Sequence, residues 1–326
     1  MRLRPFSRRG ACPRALIMWD TPAVEESSEP ATQAGRPKVL YVMGAGRSGS
    51  TILGVALGNC EHVFFAGELD RWFARAGIPR DGPERERFWG MVRDDISGAE
   101  DLFATDTTQL ERSSRLFDLR GRRNRGRLRR RYRKISEDLY LAIARASGAT
   151  HIVDSSHYPL RAWELRGLAG VEMHLLFLVR DAQSVVASLG RRDVPERRFG
   201  VIAANAYLWL TYVLSVFVFL RQPRERRMFV RHEDFLANPE SVLGEILARW
   251  GSASDTPEMD SLQVGVPFHG NRLIKAGVVA LQSYRARTTP ISWATWFLQL
   301  PWTAVFARLR PAVGMRAMLE SASARR

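Results

Sequence analysis

Short apolar runs that alternate with helical patterns predict the architecture of this chain. Five runs are typical of buried strands, because each is short, almost wholly apolar and followed by turn-forming or polar residues. They are residues 39–43, 63–65, 151–153, 173–179 and 228–230. Helical spacing of apolar residues lies at 52–57, 135–146, 183–189 and 239–250. This alternation predicts an α/β, P-loop-like fold in three layers, with a central parallel sheet of about five strands and helices on both faces.

The organisation along the chain predicts one large domain after a leader. Residues 1–37 are rich in Pro, Ser, Glu and Arg and lack periodicity, which is typical of disorder. Residues 38–326 are expected to form the domain, with polar helices over 70–118 and a basic insertion near 120–134. The apolar C-terminal segment 291–326 is expected to be helical, and within it residues 291–309 predict a pair of helices broken at Pro301. The alternative is that this segment exposes an apolar surface to an acceptor or a membrane.

Residues 203–220 carry no charge over eighteen positions, which is the lower limit for a membrane span. They also include Asn205, Thr211 and Ser215, and arginines flank them. These features favour a buried core helix over a span. Near the N-terminus, Arg14 interrupts the apolar residues, so no signal peptide is predicted.

The net charge of +15 comes mainly from one local run. Residues 120–134 carry ten Arg or Lys and no acid. The run is interpreted as a solvated insertion, with peripheral contact to an anionic surface as the alternative. Specific nucleic-acid binding is not expected, because Tyr132 is the only aromatic residue in the run. Two cysteines cannot form a disulfide framework, so a cytoplasmic location is expected, with membrane-peripheral attachment left open.

The glycine-rich segment Gly44-Ala-Gly-Arg-Ser-Gly-Ser-Thr51 joins the first predicted strand to the first helix. Glycines allow a tight turn there, and the amides at the N-terminus of the helix face an anion. The spacing from Gly44 to Gly49 matches a nucleotide P-loop, and Thr51 fills its Ser/Thr position. Ser50, however, stands where that motif requires Lys, and Arg47 supplies a positive charge from inside the loop instead. A P-loop kinase that uses ATP and Mg²⁺ is therefore disfavoured, although it is kept as an alternative.

The sequence Gly-x-x-Arg-Ser-Gly-Ser-Thr resembles the 5'-phosphosulfate-binding loop of sulfotransferases that use 3'-phosphoadenosine 5'-phosphosulfate (PAPS). The resemblance is greatest to the bacterial and tyrosylprotein-type branch, which carries Arg at this place. It implies PAPS as co-substrate, with no metal expected. Arg47 would contact the transferring sulfuryl group. The loop residues implied to bind the nucleotide are Gly46, Arg47, Ser48, Gly49, Ser50 and Thr51.

A second part of the resemblance lies at the end of the fourth predicted strand. Arg180 follows that strand, and Ser188 comes eight residues later in the next helix. In the family these two positions bind the 3'-phosphate, for which an Arg fork and a hydroxyl donor are chemically suited. His269-Gly-Asn-Arg272 resembles the region that closes over the nucleotide, so Asn271 and Arg272 are expected to bind it. The resemblance extends over about residues 38 to 275.

Sulfuryl transfer requires removal of a proton from the acceptor and stabilisation of charge on the leaving group. Glu68 is the leading candidate base, because the tyrosylprotein-type branch places its proposed catalytic Glu there and a closed site could raise its pKa. His157 stands where relatives commonly carry Lys. It is expected to act as a pH-dependent cation, as the base in place of Glu68, or as a supporting residue that does not touch the reacting groups. Asp154 is expected to orient the turn at the end of its strand.

The sequence therefore predicts a sulfotransferase that acts on a hydroxyl of a carbohydrate, a lipid or another small molecule. The alternatives are the small-molecule kinase and a non-catalytic protein that binds an anionic polymer or a membrane surface. Variable loops, here 70–135 and 190–205, are expected to form the acceptor pocket.

Overall fold

The computed structural model describes residues 35–80, 82–118, 125–190, 200–281 and 292–309. Its centre is a sheet of five parallel strands in the order β2-β3-β1-β4-β5. The strands are β1 (Lys38–Gly44), β2 (Val63–Gly67), β3 (His151–His157), β4 (Glu172–Val179) and β5 (Arg227–Arg231). All five predicted strands are thereby confirmed. Most of the predicted leader, residues 1–34, lies outside the described residues and stays a prediction.

Helices connect and cover these strands. They are α1 (Ser50–Gly58), α2 (Asp70–Ala74), α3 (Pro83–Asp94), α4 (Glu100–Phe103), α5 (Thr108–Glu111), α6 (Arg125–Ser147), α7 (Pro159–Leu165), α8 (Ala182–Leu189), α9 (Val201–Arg221), α10 (His232–Ala237), α11 (Pro239–Trp250) and α12 (Trp293–Leu309). Short 3₁₀ helices lie at Ser113–Arg115, Arg224–Arg226 and Arg272–Lys275. A small antiparallel pair, β6 (Leu262–Gln263) and β7 (Val278–Val279), completes the described elements.

The central strand β1 shows why the fold has three layers. Successive side chains of a strand point to opposite faces of its sheet. Val39, Tyr41 and Met43 enter a core with α6, α7, α9 and α12. Leu40 and Val42 enter a second core with α1, α10 and α11. Since both faces of the sheet are covered by helices, the predicted α/β fold is confirmed.

The basic run differs from its prediction as a solvated insertion. Residues 125–134 form the first half of α6, because Tyr132 and the apolar positions that follow it anchor this helix in the core. Arg129 and Arg133 both pair with the buried carboxylate of Glu164, at 2.8 and 3.2 Å. Arg131 pairs with Asp101 at 3.1 Å. The described part of the run thus belongs to the folded domain, whereas residues 120–124 lie outside the described residues.

The two most apolar helices also differ from expectation. α9 buries one face only and exposes the other, so it is not a fully buried core helix; by length and composition it could also span a membrane. α12 is a single helix with Pro301 inside it, not a pair of helices broken there. A proline removes one helical hydrogen bond and disturbs the preceding turn. In that turn the indole of Trp209 on α9 donates to the carbonyl oxygen of Leu298, at 2.8 Å. This contact from a neighbouring helix supports α12 beside its proline.

Candidate active site

Four strands bring the candidate residues to one edge of the sheet. The strands β1 to β4 run parallel, so their carboxyl ends lie side by side. Gly44 ends β1, Gly67 ends β2 and His157 ends β3. Arg180 directly follows β4. Open α/β sheets bind their ligands outside this edge.

The loop from Ala45 to Gly49 makes a tight turn into α1. Arg47 has a φ of +71° and Gly49 a φ of +91°, both in the left-handed region. A Cβ atom at Gly49 would lie 2.3 Å from the imidazole of His232, so this close packing requires glycine. Ser48 is buried, and its hydroxyl has no hydrogen-bond partner in the described structure. The loop therefore combines an unsatisfied polar group with the free amides of a helix N-terminus.

The structure brings Arg47, Arg180 and Ser188 together. The Nε atom of Arg47 donates to the hydroxyl of Ser188 at 3.0 Å, across 141 positions of sequence. One guanidinium nitrogen of Arg180 donates to the carbonyl oxygen of Arg47 at 3.2 Å. Asp181 caps α8 by accepting from the backbone amide of Ser184 at 2.9 Å, which fixes the helix that carries Ser188. The two separate sequence motifs thus meet at one site.

Two residues of this site were missed by the sequence analysis. The hydroxyl of Tyr207 accepts a hydrogen bond from the backbone amide of Gly46 at 2.9 Å. Tyr207 lies in the apolar run of α9, where no sequence pattern distinguishes it from a core tyrosine. His232 packs on Gly49, and burial together with the charge of Arg180 lowers its pKa to about 4. His232 is therefore a neutral ring at physiological pH.

Glu68 lies at the same edge, beside His269. Its carboxylate is 2.9 Å from Nδ1 of His269, and its backbone amide donates to the carbonyl oxygen of His269 at 2.8 Å. Burial acts to raise the pKa of Glu68, but the hydrogen bond from His269 and the charges of His157, His269 and Arg71 outweigh burial and lower it. The expected rise in the pKa of Glu68 is therefore wrong. The segment of His269 approaches closely because Gly67 has a φ of +79° and carries no Cβ, which would lie 2.3 Å from the His269 carbonyl oxygen.

His157 lies between Glu68 and the glycine-rich loop. Its Nε2 atom is 3.7 Å from where a Cβ of Gly46 would be, and its ring packs on Tyr158 with centroids 4.2 Å apart. Burial lowers the pKa of His157; Glu68 acts to raise it, and Arg71 lowers it further. Because the resulting pKa is below the ordinary histidine value, the ring is neutral at physiological pH. A neutral ring is compatible with a role as base, and the role as a pH-dependent cation stays a prediction.

Two further carboxylates lie behind these residues. Asp154 accepts from the backbone amide of Ser156 at 2.9 Å and from the hydroxyl of Tyr140 at 2.7 Å, so it orients the turn as predicted. Asp70 was missed by the sequence analysis. Burial raises its pKa well above the ordinary value, and the charges of Glu68 and Glu111 raise it further. Among the residues that the structure describes, no three His, Cys, Asp or Glu side chains are grouped to hold a metal ion.

The segment around Asn271 adjoins the start of α1. A Cβ at Gly270 would lie 3.4 Å from the methyl group of Thr51. The side-chain oxygen of Asn271 accepts from the backbone amide of Leu273 at 2.8 Å and so caps the short helix 272–275. Arg272 is exposed. The structure therefore gives Asn271 a local structural contact, and nucleotide binding by Asn271 and Arg272 stays a prediction.

A cavity of about 410 Å³ lies beside Arg180, between the ends of β4 and β5 and the helix α12. Arg231, Gln183 and Tyr212 contribute to its wall, together with Trp302. The loops 70–135 and 190–205, predicted to form an acceptor pocket, do not line this cavity within their described parts.

Comparison with solved structures finds sulfotransferases. A sulfotransferase domain from the curacin biosynthetic pathway is 14% identical with a TM-score of 0.48, covering 82% of this chain and 98% of that domain. A sulfotransferase domain from the olefin synthase of Synechococcus is 18% identical with a TM-score of 0.44, covering 84% of this chain and 97% of that domain. A sulfotransferase from Alicyclobacillus acidocaldarius is 16% identical with a TM-score of 0.40, covering 84% of this chain and 92% of that protein.

No family model matches the sequence, and no curated protein matches it. The three solved structures are each named as sulfotransferases. At these identities and TM-scores the likeness concerns the arrangement of the fold, and no residue's role is taken from it.

Proposed function

We propose that this chain is a sulfotransferase that moves a sulfuryl group from PAPS to a hydroxyl acceptor. The observation that carries the proposal is the contact between Arg47 and Ser188, with Arg180 bonded to the Arg47 carbonyl. Two arginines and a hydroxyl converge there on a glycine-rich loop at a helix N-terminus. Such a set of donors suits a ligand that is anionic at two places.

The residues present fit such a nucleotide. The buried, unpartnered hydroxyl of Ser48 and the first amides of α1 are available to a 5'-phosphate, with Thr51 beside them. Arg180 and Ser188 are then left for the 3'-phosphate. When bound, PAPS supplies the sulfuryl group and a nucleotide phosphate as leaving group. Arg47, between the two sets, would stabilise the charge that develops during in-line transfer.

We assign to His157 the role of the base that accepts the proton of the acceptor hydroxyl. A general base must be unprotonated before it acts, and burial favours the unprotonated imidazole of His157 by lowering its pKa. A carboxylate whose pKa is lowered, as that of Glu68 is, is a weaker base. Glu68, with its lowered pKa, is ionised and stabilises the imidazolium that forms. In this assignment Glu68 positions and stabilises the base and is not itself the base. The acceptor is a hydroxyl of a carbohydrate, a lipid or another small molecule, and the proposed location is the cytoplasm.

The test compares two nucleotides that differ only at the 3' position. The wild-type chain should bind 3'-phosphoadenosine 5'-phosphate more tightly than 5'-AMP by about tenfold or more, because only the former has a phosphate for Arg180 and Ser188. The variants Arg180→Gln and Ser188→Ala should reduce this ratio. Calorimetric titration measures both constants, and Arg231→Gln serves as a control, since Arg231 lines the neighbouring cavity but belongs to neither motif.

Equal affinity for the two nucleotides in the wild type would count against the proposal. Turnover of ATP that depends on Mg²⁺, without consumption of PAPS, would favour the kinase instead. Consumption of PAPS is followed with carbohydrate, lipid and phenol acceptors, because the described site does not distinguish among these classes.

A further inference from the structure

The outer sides of α9 and α12 form one exposed apolar surface, which we call the apolar face. On α9 every exposed position up to Leu220 is apolar: Val201, Ile202, Ala203, Ala206, Trp209, Val213, Phe217 and Leu220. On α12 the exposed side includes Trp293, Trp296, Phe297, Leu298 and Leu300. The exposed fraction reaches 82% for Ile202 and 76% for Trp293. Exposed patches this continuous mark a site of interaction.

Five uncharged polar residues of these two helices are buried between and beneath them, whereas Thr303 and the arginines near the helix ends are exposed. The side-chain amide of Asn205 donates to the hydroxyl of Thr295 at 3.0 Å, and Gln299 donates to Asn205 at 2.9 Å. Thr211 and Ser215 of α9 are also buried. A helix at a protein–water boundary has the opposite pattern, with polar residues outside. The arrangement on the apolar face is therefore the one expected where the outer medium is apolar.

A cluster of positive charge borders the apolar face at the C-terminal end of α9. The guanidinium of Arg221 lies 4.8 Å from the ring centre of Phe217, and that of Arg166 lies 3.6 Å from the ring centre of Trp163. The Trp163 and Phe217 rings are 5.3 Å apart, and Arg166 donates to the carbonyl oxygen of Arg221 at 3.4 Å. Burial and then the charges of Arg221 and Arg133 lower the pKa of Arg166, as expected where cations crowd together.

We propose that the apolar face binds the surface of an anionic lipid bilayer. Trp and Phe side chains would enter the boundary between headgroups and acyl chains, and the arginines beside Phe217 would contact the anionic headgroups. The helix α9 would lie along the bilayer surface, since its inner side packs on α7 and β1 and is not available to lipid. This inference is independent of the reaction proposed above.

The charges favour a bilayer over a second copy of the chain. Neither α9 nor α12 contains an Asp or a Glu. A second copy docked by the same face would bring its own arginines and no carboxylate from these helices to pair with them. An anionic bilayer offers both an apolar interior and negative charge at its border.

Vesicle co-sedimentation of the full chain tests the proposal. Vesicles of phosphatidylcholine containing about a third phosphatidylglycerol should bind the protein, and neutral phosphatidylcholine vesicles should bind it less. The triple variant Ile202→Ser, Phe217→Ser, Phe297→Ser should lower the partition coefficient on anionic vesicles by about tenfold or more. Phe117→Ser is the matched control, because Phe117 is 77% exposed but lies outside both helices.

The variant positions are exposed, so the fold should be retained, which circular dichroism and nucleotide binding verify independently of vesicles. Failure of the wild type to bind anionic vesicles overturns the proposal. Unchanged binding by the triple variant also overturns it, because the basic segments alone would then account for attachment. A wild-type dimer that the triple variant converts to monomer, without vesicle binding, identifies a second copy as the occupant instead.

Discussion

The pKa of His157 is the residue property on which the assigned proton transfer depends. A pKa below the ordinary histidine value of about 6.5 keeps the base neutral and available at physiological pH. The rate constant kcat/KM should therefore rise with pH along one acid limb whose midpoint lies below that value. In Glu68→Gln the negative charge that raises the pKa of His157 is lost. The acid limb should then move to still lower pH, and kcat should fall because the imidazolium is less stabilised.

The position of the acid limb is measured from the pH dependence of kcat/KM for wild type, Glu68→Gln and His157→Gln. Glu61→Gln is the control, since Glu61 is an exposed carboxylate paired with His62. An acid limb that disappears in Glu68→Gln but survives in His157→Gln would show that Glu68 is the base after all.

The role of a residue could be predicted from the sequence wherever a motif specifies both the residue type and the spacing between residues. Arg47, Arg180 and Ser188 were named from two short motifs, and the structure joins them. The pKa of Glu68 could not be predicted, because it depends on His269, which is 201 positions away in sequence. Tyr207 was missed for a similar reason, since only the packing of α9 against the loop gives its hydroxyl a role.

At the scale of elements, the junction between the loop and α1 has the strictest steric requirement. In Gly49→Ala, left-handed backbone strain adds to a contact of 2.3 Å with His232. We expect a loss of about 1–3 kcal/mol in the free energy of unfolding and weaker nucleotide binding. Gly82→Ala is a matched control, because Gly82 has a φ of +92° with nothing near its Cβ position.

Urea unfolding of the two variants separates strain from contact. The double variant Gly49→Ala, His232→Ala should recover part of the loss, because it removes the ring but keeps the strained backbone. If Gly49→Ala costs no more than Gly82→Ala, the packing of His232 on the loop is not as described.

Strands were easier to predict than helix ends. A buried parallel strand is a short apolar run whatever lies around it, and all five were found. The start of α6 was missed because its arginines suggested a solvated segment, whereas Glu164 pairs with two of them in the fold. Pro301 suggested a break in α12, but contact with α9 keeps the helix continuous. In both cases a contact with a residue distant in sequence determines whether the segment is a continuous helix.

At the scale of the whole molecule, α9 connects the two proposals. Its Tyr207 contacts the glycine-rich loop, and its exposed side forms much of the apolar face. A chain bound to a bilayer through α9 would therefore hold its candidate site close to the lipid surface. Lipid hydroxyls would then be the most accessible of the three proposed classes of acceptor, so a lipid acceptor should be turned over faster in anionic vesicles than in detergent solution.

A buried network of ion pairs connects the helices within residues 70–147 to the sheet. Arg161 on α7 is wholly buried and pairs with Asp154 of β3 at 3.3 Å and with Glu111 of α5 at 3.5 Å. It also donates to the hydroxyl of Tyr132 on α6. Arg161 thus contacts three other elements, and its removal takes the paired cation away from two buried carboxylates.

Arg161→Leu should therefore lower the free energy of unfolding by about 3–5 kcal/mol, because removing one partner of a buried ion pair leaves the remaining charges buried and unpaired. Arg145→Gln removes an exposed pair with Asp95 and should cost little, which makes it the control. Burial already raises the pKa of Glu111, so the loss in Arg161→Leu should shrink at acid pH, where protonation of Glu111 removes its unpaired charge. Urea unfolding at neutral and at acid pH measures both effects. Equal stability of Arg161→Leu and wild type at neutral pH would mean that the network does not hold these helices to the sheet.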